Sequence, residues 1–448
     1  MSEGPAGAMG RFLQGWRNEA RFAQRLRNIT HLLAGNFASS FIGLIGFALT
    51  ARALGPSQYG VLALCFAYAR GMERLIAFRS WQPLIKYGAE ALHDDELEPL
   101  GALFKFGLLL DIGTALLAWA IAVLLVLLAG PKVGISQDMS RFVILFCTVL
   151  PFQMTGMSIA VLRLFDRYQV LAYAQVVGSC IRALLCALGL AANWGLTEFL
   201  LLWAGTQILG SVNMTILAFI ELRARGITNV MSAPLRGITT RFPGLFKFSV
   251  SSNLSLTIRS SANELDTLLV GYLTDPASAG LYHIAKRIGR IAQQAGGQVQ
   301  AVLFPDLARA WASNDLAAFR KMIAQAQLLL ICLGVTALII IAAAINRVLE
   351  LTAGPEFVAA GPLVVIQMAA VILILNATIL YSALLAMSLE SSALRNTFVA
   401  IAFFHLTLIL LVPTFGPMGA NIAHIVMACI WLTGMTAAYR RRLRQPIR

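Results

Sequence analysis

Apolar residues in this chain run together instead of alternating with polar ones. Twelve stretches stay predominantly apolar for roughly twenty residues or more: about 30–53, 58–79, 101–129, 141–163, 170–192, 197–221, 244–272, 277–304, 322–345, 359–387, 395–413 and 418–439. A helix needs about 20 apolar residues to cross a bilayer, whereas a barrel strand needs about 9–11 alternating ones. The pattern therefore predicts an all-α polytopic membrane protein with twelve transmembrane helices. Composition closes off the alternative of a water-soluble fold. The 448 residues are 58% hydrophobic and 12% charged, with a mean hydropathy of +0.75, against about 25% charged residues in a soluble domain.

Charge then sets the orientation. Thirty-five Lys and Arg face 21 Asp and Glu, a net of +14, and their distribution distinguishes nucleic-acid binding from membrane topology. With the N-terminus cytoplasmic, 24 basic residues fall on the inner side, among them Arg79, Lys86, Arg163, Arg167, Arg223, Arg225, Arg236, Arg241 and the tail from Arg440 to Arg448. Four fall on the outer side: Arg52, Lys132, Arg141 and Arg347. That asymmetry places both termini inside and accounts for most of the net charge without nucleic acid.

The expected organisation is a basic N-terminal segment (1–29), a six-helix lobe (30–221), a cytoplasmic linker (222–243), a second six-helix lobe (244–439) and a basic tail (440–448). In the first of these, Arg11, Arg17, Arg21, Arg25 and Arg27 alternate with Phe12, Leu13, Trp16, Phe22 and Leu26. This is the pattern of an amphipathic helix lying on an anionic membrane surface. Six spans on each side of the linker enter the membrane in the same direction. A repeat must therefore be parallel, its axis along the membrane normal. LGPSQYGVLAL (54–64) and LTDPASAGLYHI (273–284) hint at one: an offset of 220 superposes Gly60 on Gly280 and Arg70 on Arg290. The six cysteines sit inside apolar runs with no CxxC pair, and the five histidines have no metal spacing.

Seven bases remain within the spans: Arg70, Arg74, Arg182, Arg259, Lys286, Arg287 and Arg290, accompanied by four acids, Glu73, Asp111, Glu264 and Asp266. A base at the bilayer centre costs roughly 2.5–3.5 kcal/mol on insertion scales, so these groups should face a wet interior, pair with one another, or both. Span 7 carries Ser252, Ser255, Arg259, Asn263 and Asp266 on one helix face. In span 2, Glu73 is placed to neutralise Arg70 or Arg74. A cavity with surplus positive charge suits an anion, and the guanidinium fork suits phosphate oxygens. The alternative is a set of internal ion pairs that hold helices together. The candidate substrate-binding set is Arg70, Arg74, Arg182, Arg259, Asn263, Lys286, Arg287 and Arg290. The candidate ion-coupling set is Glu73, Asp111, Glu264 and Asp266. Pro151, Gly289, Gly296, Gly297 and Pro413 are candidate kink positions.

ARALGPSQYG (51–60), FRSWQPLIKYG (78–88), ELDTLLVGYL (264–273), AGLYHIAKRI (279–288) and LFPDLAR (303–309) resemble the lipid-linked oligosaccharide flippases. That family makes surface polysaccharide and belongs to the multidrug/oligosaccharidyl-lipid/polysaccharide exporter superfamily. The resemblance covers about 30–440. It implies two six-helix lobes forming a V around a central cavity, alternating access, and a polyprenyl-diphosphate-linked oligosaccharide of the undecaprenyl type as cargo. It also places the family's cationic cavity on Arg70, Arg259, Lys286, Arg287 and Arg290. The implied location is the bacterial inner membrane. The implied partners are the lipid-linked anionic glycan, membrane lipids and polysaccharide polymerase machinery. No cofactor, metal or catalytic residue is expected.

Three rival readings have their own discriminating features. A multidrug or other small-solute exporter shares the fold, but relatives that export cations usually carry an acid in span 1, and residues 30–53 contain none. A membrane glycan polymerase or glycosyltransferase needs catalytic carboxylates or metal ligands on a sizeable loop, and the outer loops are short. A major-facilitator carrier would show a Gly/Asp/Arg signature after span 2, which is missing.

Overall fold

The computed structural model describes residues 5–93, 97–130, 137–228, 230–250, 253 and 265–444. The side chains of the basic N-terminal segment, and Arg259, Asn263 and Glu264, lie outside the described residues. The chain is built of helices: α1 (Pro5–Ile76), α2 (Trp81–His93), α3 (Leu97–Ala129), α4 (Gln137–Cys147), α5 (Gly156–Leu164), α6 (Tyr168–Ala191), α7 (Leu196–Ala224) and α8 (Ile238–Arg241). After them come α9 (Leu265–Leu273), α10 (Pro276–Ala312), α11 (Leu316–Thr352), α12 (Gly361–Ala386), α13 (Glu390–Phe415) and α14 (Pro417–Leu443).

Nine helical stretches among the described residues are long and apolar enough to cross a membrane. One of them, Ala34–Ile76, is two spans. Its backbone breaks at Gly55, where φ is 69° and ψ 171°, a left-handed conformation that only glycine adopts without strain. Pro56 then opens the next helix, where its fixed φ is an advantage. The highly charged α10 and the stretch ending in α9 complete twelve spans in two lobes of six. The fourth span, read as continuous from the sequence, is interrupted between α4 and α5 by a 3₁₀ turn at Leu150–Phe152 containing Pro151.

Hydrophobic packing divides the molecule by level. At the end carrying the Gly55 break, here the kink end, one core draws on both lobes. Phe47, Tyr59, Phe66 and Trp203 from the first half pack with Ile284, Leu349, Phe357 and Met368 from the second. At the opposite, linker end, two cores share no residue. Leu84, Leu100, Phe104 and Leu222 form one, joined by Ile227, Val230 and Phe242 of the linker and by Leu245 beyond it. Leu307, Phe319, Leu384 and Met435 form the other. The linker is docked on the first lobe: Lys105 donates to the Ala233 carbonyl (2.9 Å) and Tyr87 to that of Pro243 (3.1 Å).

The seam at the kink end is reciprocal. A Cβ on Gly60 would run into the Pro276 carbonyl, and a Cβ on Gly280 would lie 2.9 Å from the Pro56 carbonyl oxygen and 3.1 Å from the Gly60 Cα. The residues related by the 220 offset thus meet one another. This is the self-complementary geometry of an isologous contact. Hydrogen bonds tie the lobes nearby, between Tyr59 and His283 (2.9 Å) and from Arg52 to the Leu351 carbonyl.

Candidate functional site

Below that seam, α10 turns one stripe of bases toward the other lobe. His283, Lys286, Arg287 and Arg290 recur at three- and four-residue spacing, so they share a helix face. With Arg70 of α1, Thr267 of α9, Phe66 and Ala67 they line one small space. It offers about 10 Å³ for water centres, room for roughly one water molecule. Four cations from two lobes therefore converge on one point, and among the described residues lining it there is no carboxylate.

Aromatic rings carry this cluster outward through the first lobe. The Arg287 guanidinium lies over the Phe47 ring at 4.1 Å. Phe47 stacks on Trp203 at 4.1 Å between centroids, and Arg182 covers Trp203 at 5.0 Å while donating from Nε to Thr206 Oγ1 at 2.9 Å. Cation–π contacts hold a guanidinium in place without neutralising it. Arg182 thus stands behind the cluster, with the stacked Phe47 and Trp203 rings between it and Arg287. Arg74, one turn from Arg70, does not line the cavity.

The acids separate into three kinds of site. Glu73 pairs at 3.3 Å with Arg79, an arginine beyond the end of its own helix, where the sequence had suggested Arg70 or Arg74. Asp111 is 2% exposed and accepts from the Ser80 N–H (3.1 Å), the Ser80 hydroxyl (2.9 Å) and the Met157 N–H (2.8 Å). It joins the starts of α2 and α5, supplying acceptors to helix N-terminal N–H groups that have none of their own.

Asp266 is fully buried and sits against the basic stripe. Its Oδ1 accepts from Lys286 Nζ and from the Thr267 N–H (2.7 Å). Its Oδ2 accepts from the Tyr282 hydroxyl (2.8 Å) and lies 3.3 Å from His424 Nε2. Tyr282 and His424 are themselves 2.9 Å apart. Lys286, 7% exposed, thus borders the cavity and also bonds the carboxylate behind it.

Sequence reasoning singled out the stripe and Asp266 but not Tyr282, His424 or Tyr59. Tyr282 lies four residues before Lys286 on the same face, a signal that was available. His424 lies in an apolar run one turn from Asn421 and was weighed only as a metal ligand.

The sequence profile of the family described as "Polysaccharide biosynthesis protein" matches residues 25–311. A relative from Escherichia coli (strain K12), named inner membrane protein YghQ, is 25% identical over 294 residues, 66% of this chain and 83% of its own. Among solved structures, the lipid II flippase MurJ in an inward closed conformation superposes with a TM-score of 0.65 at 14% identity. The match covers 91% of this chain and 87% of that one. A mutant of the MATE transporter VcmN from Vibrio cholerae gives 0.60 at 15% identity, with 94% and 97% covered. At such identities these structures speak for the fold alone: a two-lobe, twelve-helix membrane protein.

Proposed function

Starting from a chain that belongs to the polysaccharide biosynthesis protein family, we propose that it flips a polyprenyl-diphosphate-linked oligosaccharide across the bacterial inner membrane by alternating access. The observation that carries this reading is the convergence of Arg70, Lys286, Arg287 and Arg290 from two lobes on one small space. A diphosphate is the part of such a cargo that cannot cross hydrocarbon unaided, since burying an unpaired charge is prohibitive. Planar guanidinium forks match its oxygens in pairs. The glycan would occupy the space that opens between the lobes, and the polyprenyl chain would remain in lipid.

With the linker end cytoplasmic, a reading the distribution of basic residues supports, the kink end faces outward, and there the lobes share a core. The present state is then closed to the outside. Its cavity is too small for a diphosphate, so loading requires the lobes to separate on the cytoplasmic side. Arg182 and Arg74 would act at longer range, by holding the local potential positive. Arg259 and Asn263 extend the substrate-binding set on the preceding span.

The test is complementation of a deletion strain by Arg70→Ala and Arg290→Ala. The expected result is lost surface polysaccharide and a lipid-linked intermediate retained in the inner leaflet, at wild-type protein levels. Full restoration by both variants would overturn phosphate docking at this cluster. Binding of organic cations in preference to lipid diphosphates would point instead to a small-solute exporter.

A further inference from the structure

A second space lies beside the charged cavity, and its chemistry is the opposite. It offers about 420 Å³, within the range of roughly 300–1,000 Å³ typical of ligand sites. Ile45 and Ala48 of α1 stand on one side, and Ile284 and Ile288 of α10 with Val348 and Leu349 of α11 stand on the other. The two sides belong to different lobes. Apart from Tyr59, Thr352 and two arginines, Arg52 and Arg287, the described lining is apolar, and it holds no carboxylate.

Among the described residues, Arg287 alone lines both spaces. Its guanidinium rests on the ring of Phe47, which itself lines the apolar pocket. An anion that grips Arg287 from the charged side therefore has room for hydrocarbon directly beside it. We propose that this pocket binds the prenyl segment next to the diphosphate of the cargo, with a phosphate held on Arg287 at the junction. This rests on the phosphate-docking reading above and adds to it a protein site for the lipid. The remainder of the chain leaves past Phe41 and Ile45, which are exposed, into the bilayer.

Depth separates this occupant from an ordinary membrane phospholipid. Arg287 lies eleven residues into α10, roughly 16 Å along the helix from its start at the kink end. That is about half the thickness of a bilayer's hydrocarbon core, whereas phospholipid phosphates stay in the headgroup layer. A phosphate on Arg287 therefore belongs to a lipid whose head the protein has drawn inward. At the opposite limit of the pocket the exposed Arg52 bonds across the lobes to the Leu351 carbonyl. Loading widens the charged cavity from the linker end, and the pocket, next to the closed seam, needs no such widening. Because both lobes supply its walls, an occupant favours the closed seam. Parting the lobes to release the cargo dismantles the site.

The experiment uses the purified full-length chain in detergent, with inorganic pyrophosphate and farnesyl diphosphate as probes and calorimetry to measure affinity. Pyrophosphate reads the charged cluster alone, and the ratio of the two affinities reads the pocket. Ala48→Phe from one lobe and Val348→Trp from the other each put a ring into the pocket, and neither residue lines the charged cavity. Val348 is exposed, so its replacement spares the core should Ala48→Phe fail to fold. Each variant should cut the farnesyl advantage about tenfold or more, the worth of roughly two buried methylenes, and leave pyrophosphate affinity unchanged. Partition of the prenyl chain into micelles is common to all the proteins and cancels. An unchanged farnesyl advantage in the folded variants would overturn the inference and leave phosphate docking standing. Dioleoyl phosphatidic acid competing as well as farnesyl diphosphate would also overturn it, by assigning the pocket to bilayer phospholipid. A folded wild type that binds neither probe would remove the docking itself.

Discussion

Asp111 in the first lobe and Asp266 in the second are both buried carboxylates within apolar spans, and sequence inspection treats them alike. Their surroundings do not. Asp111 is held by two backbone N–H groups and a serine hydroxyl, donors that cannot leave, take up a proton or follow a ligand. Asp266 is held by an ammonium, a phenol and an imidazole, side chains whose rotamers can change. The donor set around a buried acid thus separates a rivet from a switch where the acid itself does not.

The sharpest way to break this contrast is Asp111→Ala. It would orphan two buried N–H groups and a hydroxyl at roughly 1–3 kcal/mol each. The expected outcome is collapse of the first lobe, seen as a large drop in melting temperature and in yield of monodisperse protein. Asp266→Asn should cost much less. Removing one partner of a buried ion pair costs about 3–5 kcal/mol, but Asn keeps an oxygen that can still accept from Lys286. Near-equal melting losses for the two variants would erase the distinction.

The seam at the kink end supplies the next test. Gly60→Ala cannot form the closed contact with Pro276, so the lobes should stand apart there. Spin labels on Ser57→Cys and Ala359→Cys should report a longer distance than in the wild type. Gly113→Ala has nothing within 4 Å of the added methyl and should leave the distance unchanged.

The smallest effect is expected at Asp275, which caps α10 through the Ser278 N–H at 3.0 Å. Asp275→Ala should cost about 1 kcal/mol of stability, measured by denaturation. Partial burial disfavours its ionised form, but bonds from the Ser278 hydroxyl and N–H outweigh this and hold the carboxyl below its usual range. Its contribution is therefore present above the unfolded carboxyl's pKa, near 4, and fades as pH falls through the lower folded value. The corresponding position in the first half is Gly55, which has no side chain to titrate.

The spans were legible because a run of apolar residues needs no partner to be recognised. The α10 stripe was legible because its spacing is local; Gly60 and Gly280, aligned only as a trace of a repeat, turn out to touch. What escaped was assembled across the chain. His424 reaches Asp266 over 158 positions and Tyr59 reaches His283 over 224, and no periodicity encodes such meetings. The role of Asp111 was hidden for another reason: two of its three donors are backbone groups, which every residue type supplies.

Closure at the kink end sets glycine against carbonyl in both directions, within a core to which both lobes give large side chains. The main-chain part has no rotamers to freeze, but the shared rings must come apart before the gap can widen. Parting it exposes apolar surface to water and should therefore be slow. The door, as much as the passenger, sets the pace of each turnover.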